Sequence, residues 1–350
     1  MPDIGHNDTE YIISIIEKRI KGEYSQAVSE IQDKLDNYLR RFKTKDETWK
    51  RWVEEGKKTE AEYKEWRTGQ IAVGKRWEEM KDTLAKDYHN ANVIARSIAD
   101  GYMPEVYALN HDFATFQVEK DAKVDTSYTI YDRQTMERIM RDNPDLLPPP
   151  GRKLTNRIAA GLDVRWNRQQ IQSVMMQALL QGESIPMIAS RLAKKVGDSN
   201  YKAAIRNART MATGAQNAGR VDSYKRAQDM GIKMKQCWVA TLDSRTRHSH
   251  RQLDGETIEV GGTFSNGCRY PGDPRADGRE TYNCRCALIA QLEDFERDIR
   301  NTTLRNDPDI DGMTYEEWRE SRTEKHNPIT LPAEKAENIK WAHIKRYREA

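Results

Sequence analysis

Ile12, Ile16, Ile20, Tyr24 and Val28 recur every fourth residue, and Ile31, Leu35, Leu39 and Phe42 continue the stripe with a slipped phase. Apolar residues at that interval fall on one face of an α-helix, so the opening segment predicts a helix of roughly eight turns with one side to bury. Thr59-Glu60-Ala61-Glu62 has the form of a capping box. It predicts the start of a second long helix through Tyr63, Trp66, Val73, Trp77, Met80, Leu84, Tyr88, Ile94 and Ile98, which Gly101 and Pro104 should end. Residues 1–101 are therefore expected to form a long helical hairpin or stalk, an architecture more often used for interaction than for catalysis.

The next segment changes character. Phe113 to Glu119 and Ser127 to Tyr131 alternate in the manner of two short strands, and Asp132 is placed to cap a short helix carrying Met136, Ile139 and Met140. Pro144, Pro148, Pro149, Pro150 and Gly151 form the clearest linker, so residues 102–151 read as a small connector. Three helices are expected beyond it. One runs from about Leu154 to Leu180. The second is capped by Ser184, with Pro186 in its first turn, and the third runs from about Asn200 to Met230 and is closed by Gly231.

The third helix carries small residues at Ala204, Ala208, Ala212, Ala215 and Gly219, a stripe that lets another element approach its backbone. Ile232 to Thr241, Thr257 to Val260 and Cys284 to Ala290 read as strands. The fold class expected is thus mainly helical α+β: a long N-terminal helical hairpin or stalk, then a helical segment and a small β-sheet domain. The α+β domain spans 152–292, and 293–350 form a charged tail with a short capped helix at Thr314-Tyr315-Glu316-Glu317-Trp318.

The chain has 37% apolar and 32% charged residues and a mean hydropathy of −0.92. That is polar for a compact enzyme and ordinary for an elongated assembly protein. Eight Trp and fifteen Tyr argue against disorder. No apolar run approaches the ~20 residues that cross a bilayer. The opening residues lack the pattern of a signal peptide, so no membrane partner is expected. Four cysteines do not make a secreted disulfide scaffold and suit a reducing cytoplasm. Tyr201 to Arg251 holds eleven Lys/Arg against three Asp/Glu, whereas Gln252 to Gly312 holds seven against thirteen. A basic block beside an acidic one suits a polyanion or a charged partner, although solvated faces account for many such runs.

Chemistry-bearing residues concentrate in Asp243-Ser244-Arg245-Thr246-Arg247-His248-Ser249-His250 and Tyr282-Asn283-Cys284-Arg285-Cys286. Cysteines at i and i+2 on a strand share a face with Cα atoms about 6.6 Å apart, which suits two thiolates on one metal better than a disulfide. His248 and His250 would complete a Cys₂His₂ set with Cys284 and Cys286, with zinc as a structural ion. Cys268 and Asp243 are further candidates. The alternative is that the cysteines are small buried residues and His250 a buried hydrogen-bonding group. An enzyme centred on Arg247, His250 and Arg285 is also open, with histidine as acid or base and arginine stabilising charge. The sequence contains no Walker motif, HExxH or glycine-rich phosphate loop.

The runs Ala204-Ile205-Arg206-Asn207-Ala208-Arg209-Thr210 and Ala215-Gln216-Asn217-Ala218-Gly219-Arg220 carry a family resemblance. So do Trp238 to Arg247 with His250, Leu253-Asp254-Gly255, Phe264-Ser265-Asn266-Gly267, Tyr270-Pro271-Gly272-Asp273-Pro274 and Asn283-Cys284-Arg285-Cys286. Over roughly residues 154–291 the chain resembles the head-morphogenesis family of tailed-phage minor head proteins, similar to phage Mu protein F and the minor capsid protein of phage SPP1. Asp243, Arg247, His250, Asn283, Cys284, Arg285 and Cys286 match the family's signature.

The resemblance implies a structural protein made in the host cytoplasm and then incorporated in the virion, near the portal, with a role in head assembly, DNA packaging or delivery. Its implied partners are the portal protein and the major capsid or scaffolding protein. The arginine-rich region, with Arg206, Arg209, Arg220, Arg245, Arg247 and Arg251, is expected to meet either double-stranded DNA or a protein partner. The competing class is a nuclease or an ADP-ribosyl or nucleotidyl transferase.

Overall fold

A computed structural model describes residues 3–71, 75–130, 135–138, 162–181, 183, 185–293, 305–306 and 308–322. It is 72% helical with a small antiparallel sheet, which bears out the mainly helical α+β class. The helices are α1 (Ile4–Glu54), α2 (Glu60–Ile71), α3 (Lys75–Ala122), α4 (Leu162–Leu180), α5 (Ile185–Leu192), α6 (Asp198–Asp229), α7 (His248–Gln252), α8 (Gly278–Thr281) and α9 (Tyr315–Arg322). The strands are β1 (Val124–Asp125), β2 (Met234–Val239), β3 (Thr257–Glu259), β4 (Ala287–Leu292) and β5 (Arg305–Asn306). Two compact units interleave along the chain, one of Glu17–Arg96 with Lys153–Ile205, the other of Met1–Ile16, Ser97–Arg152 and Arg206–Ala350. The sequential division at 151/152 expects domains that follow one another instead, and its proline-rich linker lies outside the described residues.

The first unit is helical and its core is apolar. Ile31, Leu35 and Tyr38 of α1 meet Trp77, Leu84 and Tyr88 of α3, Ile171, Val174 and Met175 of α4, and Ile188 and Leu192 of α5. All are buried, each contributing roughly 1.5–3 kcal/mol of transfer free energy. The expected stripe on α1 is buried at Ile12, Ile16, Ile20, Tyr24, Ile31 and Leu35 and half-buried at Val28, while the side chains of Leu39 and Phe42 lie outside the described residues. The capping box also forms: Thr59 N–H donates to Glu62 Oε2 at 2.9 Å and Glu62 N–H donates to Thr59 Oγ1 at 3.2 Å. Gly56, with φ of 69°, supplies the left-handed residue that ends α1. Pro186 sits in the first turn of α5 as expected, where its missing N–H costs nothing. Ser184 lies outside the described residues.

The second unit corrects three expectations. Helix α3 does not stop at Gly101 and Pro104 but runs through both to Ala122. Burial of Met103, Val106 and Tyr107 beside Pro104 offsets the roughly 3 kcal/mol that a helix-interior proline costs. Phe113 to Glu119 is accordingly helical rather than a strand. Phe113, Ala114, Phe116, Val118 and Glu119 are all buried, and a helix apolar on every side also reads as alternation. Ser127 to Ile130 form no strand either, since the pairing there is Val124↔Asn306 and Asp125↔Arg305 between β1 and β5. Tyr131, Asp132, Ile139, Met140 and residues 154–161 lie outside the described residues. The capped helix near the end is present: Thr314 N–H donates to Glu317 Oε2 at 2.8 Å, and α9 places Tyr315 and Trp318 against Phe113, Phe116 and Tyr128.

The small-residue stripe of α6 does what it was expected to do. A Cβ at Gly219 would lie 2.4 Å from the Tyr107 carbonyl oxygen, and one at Gly214 would lie 2.9 Å from the Gly272 carbonyl oxygen. Backbone thus packs on backbone at two points along one helix. Strand β2 then forms the centre of a three-stranded antiparallel sheet ordered β3-β2-β4. Ile232, Met234, Trp238 and Ala240 share a buried face as the alternation predicts, together with Gln236.

Candidate functional site

The signature residues gather where the segment 284–286 enters β4. β2 stops at Val239, paired with Ala287, so β4 begins at Ala287 and not at Cys284. The backbone of 284–288 takes side-chain partners instead. Thr213 Oγ1 donates to the Cys284 carbonyl at 2.7 Å, and Thr241 Oγ1 donates to the Arg285 carbonyl at 2.6 Å. Asn217 Nδ2 donates to the Cys286 carbonyl at 3.2 Å while its Oδ1 accepts from Leu288 N–H at 2.9 Å. Thr213 and Asn217 stand one turn apart on α6, so that helix reads the segment as a neighbouring strand would. Asn283 holds φ at 55°, a left-handed conformation that asparagine tolerates better than most residues.

Two thiols and one imidazole come together there. Cys284 Sγ lies 3.6 Å and Cys286 Sγ 3.4 Å from His250 Nδ1, and all three residues are buried. His250 is carried by α7 and packs edge-on against Trp238, with ring centroids 5.3 Å apart at 81°. On the far side of the ring, Nε2 lies 3.1 Å from Glu280 Oε2, short of full hydrogen-bond alignment. Ser249 Oγ and Asn266 Nδ2 donate to the same carboxylate oxygen at 3.1 and 3.3 Å. Burial pushes the Cys284 thiol up, while the Cys284 thiol and then His250 pull Cys286 down. These three residues are the cluster that could hold a metal ion among the described residues.

His248 is a correction to the expected ligand set. It is the first residue of α7 and is exposed, while His250, two residues on, points inward. Successive residues of a helix are about 100° apart, so two histidines at i and i+2 splay. Cys268 is buried outside the cluster, and burial raises its thiol to about 12. Asp243 is committed elsewhere: Arg285 grips it with two bonds of 2.6 Å and holds its carboxyl well below the usual range. Arg247 donates to the Tyr282 carbonyl. Arg247 and Arg285 therefore aim their donors at protein partners.

The six arginines expected at a polyanion surface divide. Arg206, Arg245 and Arg251 are exposed, and Arg209 and Arg247 half-buried. Arg206 lies over the Tyr282 ring at 4.9 Å, and Arg251 donates to the Asp243 carbonyl at 2.8 Å. Arg220 does not belong with them. It is fully buried, with a guanidinium that donates to Asp3 at 2.6 and 2.8 Å, Asn110 at 3.1 Å and the Leu288 carbonyl at 2.7 Å. Sequence reasoning missed Glu280, Thr213 and Asn217 as members of this site. The available signal was the pair of polar residues one turn apart inside the small-residue stripe.

Residues 169–289 match the family model described as "Phage Mu protein F like protein". A stretch of 159 residues is 33% identical to "Minor head protein GP7" of Bacillus phage SPP1, covering 43% of this chain and 50% of that protein. Another of 187 residues is 29% identical to "NAD(+)--arginine ADP-ribosyltransferase EFV" of Enterococcus faecalis, covering 53% of this chain and 38% of the relative. A third relative, an uncharacterized protein of Haemophilus influenzae, is 26% identical over 211 residues, 60% of this chain and 42% of its own length. The chain thus spans half or less of the length of these relatives. No solved structure matches. Through residues 169–289, which contain α6 and the whole cysteine–histidine cluster, the chain is similar to the phage Mu protein F like proteins and, over 43% of its length, to a phage minor head protein.

Proposed function

We propose that this protein is a structural component of a tailed-phage head and acts in head morphogenesis. The observation that carries this reading is the family match over residues 169–289, together with the phage minor head protein among the relatives. The site supports it. Asp243, Arg247 and Arg285 bond to one another's segments and to backbone, as residues that hold a small domain in shape do. The activity in the name of the Enterococcus relative belongs to that protein, of which the match covers 38%. With Arg247 and Arg285 both engaged, it does not lead the reading here.

In its finer form the proposal places the protein near the portal, in contact with the portal protein and with major capsid or scaffolding subunits. It would be made in the host cytoplasm and carried into the virion. Arg206, Arg209, Arg245 and Arg251 would meet packaged DNA through phosphates, without sequence preference and with strong salt dependence, while Arg247 stays on the Tyr282 carbonyl. No described helix is long and apolar enough to cross a membrane.

Co-expression with the portal, scaffolding and major capsid proteins of its own genome tests the assembly role. The protein should sediment with the resulting particles, and its exclusion from well-formed particles would sink the proposal. Retardation of random duplex across a salt series tests the DNA contact. Binding at low salt should fade as salt rises, and a double variant Arg245→Ala/Arg251→Ala should show a shallower salt slope by about two phosphates. No binding even at low salt removes DNA from the partners.

A further inference from the structure

We propose that His250, Cys284 and Cys286 bind a zinc-class divalent cation through Nδ1 and two thiolates, with Glu280 orienting the histidine from behind. The inference stands on geometry and is independent of the head-assembly role.

The spacing fits the ion. Zinc takes sulfur at about 2.3 Å and imidazole nitrogen at about 2.0–2.1 Å in a tetrahedron, which sets sulfur and nitrogen about 3.6 Å apart. The two sulfur–nitrogen separations are 3.6 and 3.4 Å. All three donor atoms lie within 4.8 Å of one another.

Chemistry favours a shared cation over the groups by themselves. Two thiols converge on one ring nitrogen, which as a neutral imidazole makes one good hydrogen bond in that direction. A cation engages all three donors at once. Two thiolates and a neutral histidine around a divalent ion give a site with no net charge, which suits residues that are each 2% exposed. A sulfur-rich donor set selects zinc and its soft neighbours and disfavours magnesium and calcium.

Glu280 supplies the second argument. Metal-ligating histidines usually present their other ring nitrogen to a carboxylate, which fixes the tautomer and raises ligand basicity. Here that carboxylate sits 3.1 Å from Nε2 and is itself held by Ser249 and Asn266. The protonated nitrogen then faces Glu280, leaving Nδ1 bare toward the sulfurs. The ion would tie α7 to the segment entering β4, closing the loop of residues 251–283.

Elemental analysis of the full chain, purified from zinc-supplemented culture, should find one zinc per molecule. After chelation, titration with cobalt(II) should restore tetrahedral d–d bands and a thiolate-to-cobalt charge-transfer band. Cys284→Ser and Cys286→Ser should each lose the metal, while Cys237→Ser, altered on β2 away from the cluster, should keep it. Glu280→Gln leaves every donor in place and should weaken cobalt binding about 10–100-fold. It carries the test if the cysteine variants do not fold. Folded wild-type protein that takes up neither ion overturns the site, as does a Cys237→Ser variant that loses metal to the same extent. Unchanged cobalt affinity in Glu280→Gln overturns the orienting role given to Glu280.

Discussion

The unit built from Glu17–Arg96 and Lys153–Ile205 is held by volume, whereas the region from Arg206 to Glu293 is held by direction. In the first, Leu35, Trp77, Leu84, Ile171 and Ile188 are all fully buried in one cluster. Its order follows from apolar faces that many similar side chains could fill. In the second, α6 reads the backbone of 284–288 through Thr213 and Asn217, Arg285 grips Asp243, and two cysteines meet one histidine. Here each residue has a named partner, and a substitute of the same size would not serve.

That contrast can be broken by experiment. The largest effect is expected at Trp77, fully buried in the helical unit with its Nε1 donating to Gln172 at 3.0 Å. Trp77→Ala should lower the unfolding free energy by about 3–5 kcal/mol, and Trp77→Phe should recover much of it. Equal losses from both in a denaturant titration would mean that a hydrogen bond, not volume, holds this unit.

Next in size is Gly219→Ala, the smallest change available, which puts a Cβ 2.4 Å from the Tyr107 carbonyl oxygen. Because the obstacle is backbone, overpacking should cost about 1–3 kcal/mol or more. Thermal denaturation beside Gly22→Ala checks it, since a Cβ at Gly22 would meet nothing within 4 Å and alanine is the better helix former. Similar melting of the two variants would show that α6 does not need the close approach.

The smallest effect is expected at Asn283, whose left-handed backbone costs most residues about 1–2 kcal/mol. Asn283→Ala should destabilise by that amount and Asn283→Gly by less. If both lose stability equally, the asparagine side chain matters more than the backbone it permits.

These differences also explain what could be read from the sequence. The four-residue apolar interval made α1 legible, and the Thr59 and Thr314 capping boxes located helix starts because both partners lie within four residues. Pro104 misled for the converse reason. Its local signal was correct, but burial of Met103, Val106 and Tyr107 is decided by residues far away in the chain. At the site, Cys284, Cys286 and His250 were legible as metal-type residues, while the choice between His248 and His250 depended on where α7 begins. Arg220 looked like its exposed neighbours because nothing nearby in sequence announces Asp3 as its partner.

The Arg220–Asp3 pair has a further consequence for how the chain is made. The two residues stand 217 positions apart, and the same guanidinium also bonds the carbonyl of Leu288. Asp3 leaves the ribosome long before Arg220 exists, and the strand that completes the junction is made later still. Throughout that interval the opening turn of α1 lacks the partner that fixes it. Local helix can form as it emerges, but the bond to the Leu288 carbonyl waits until β4 has been synthesised. A bulky fusion placed directly before Asp3 would therefore stand against a junction whose partners are made late in synthesis.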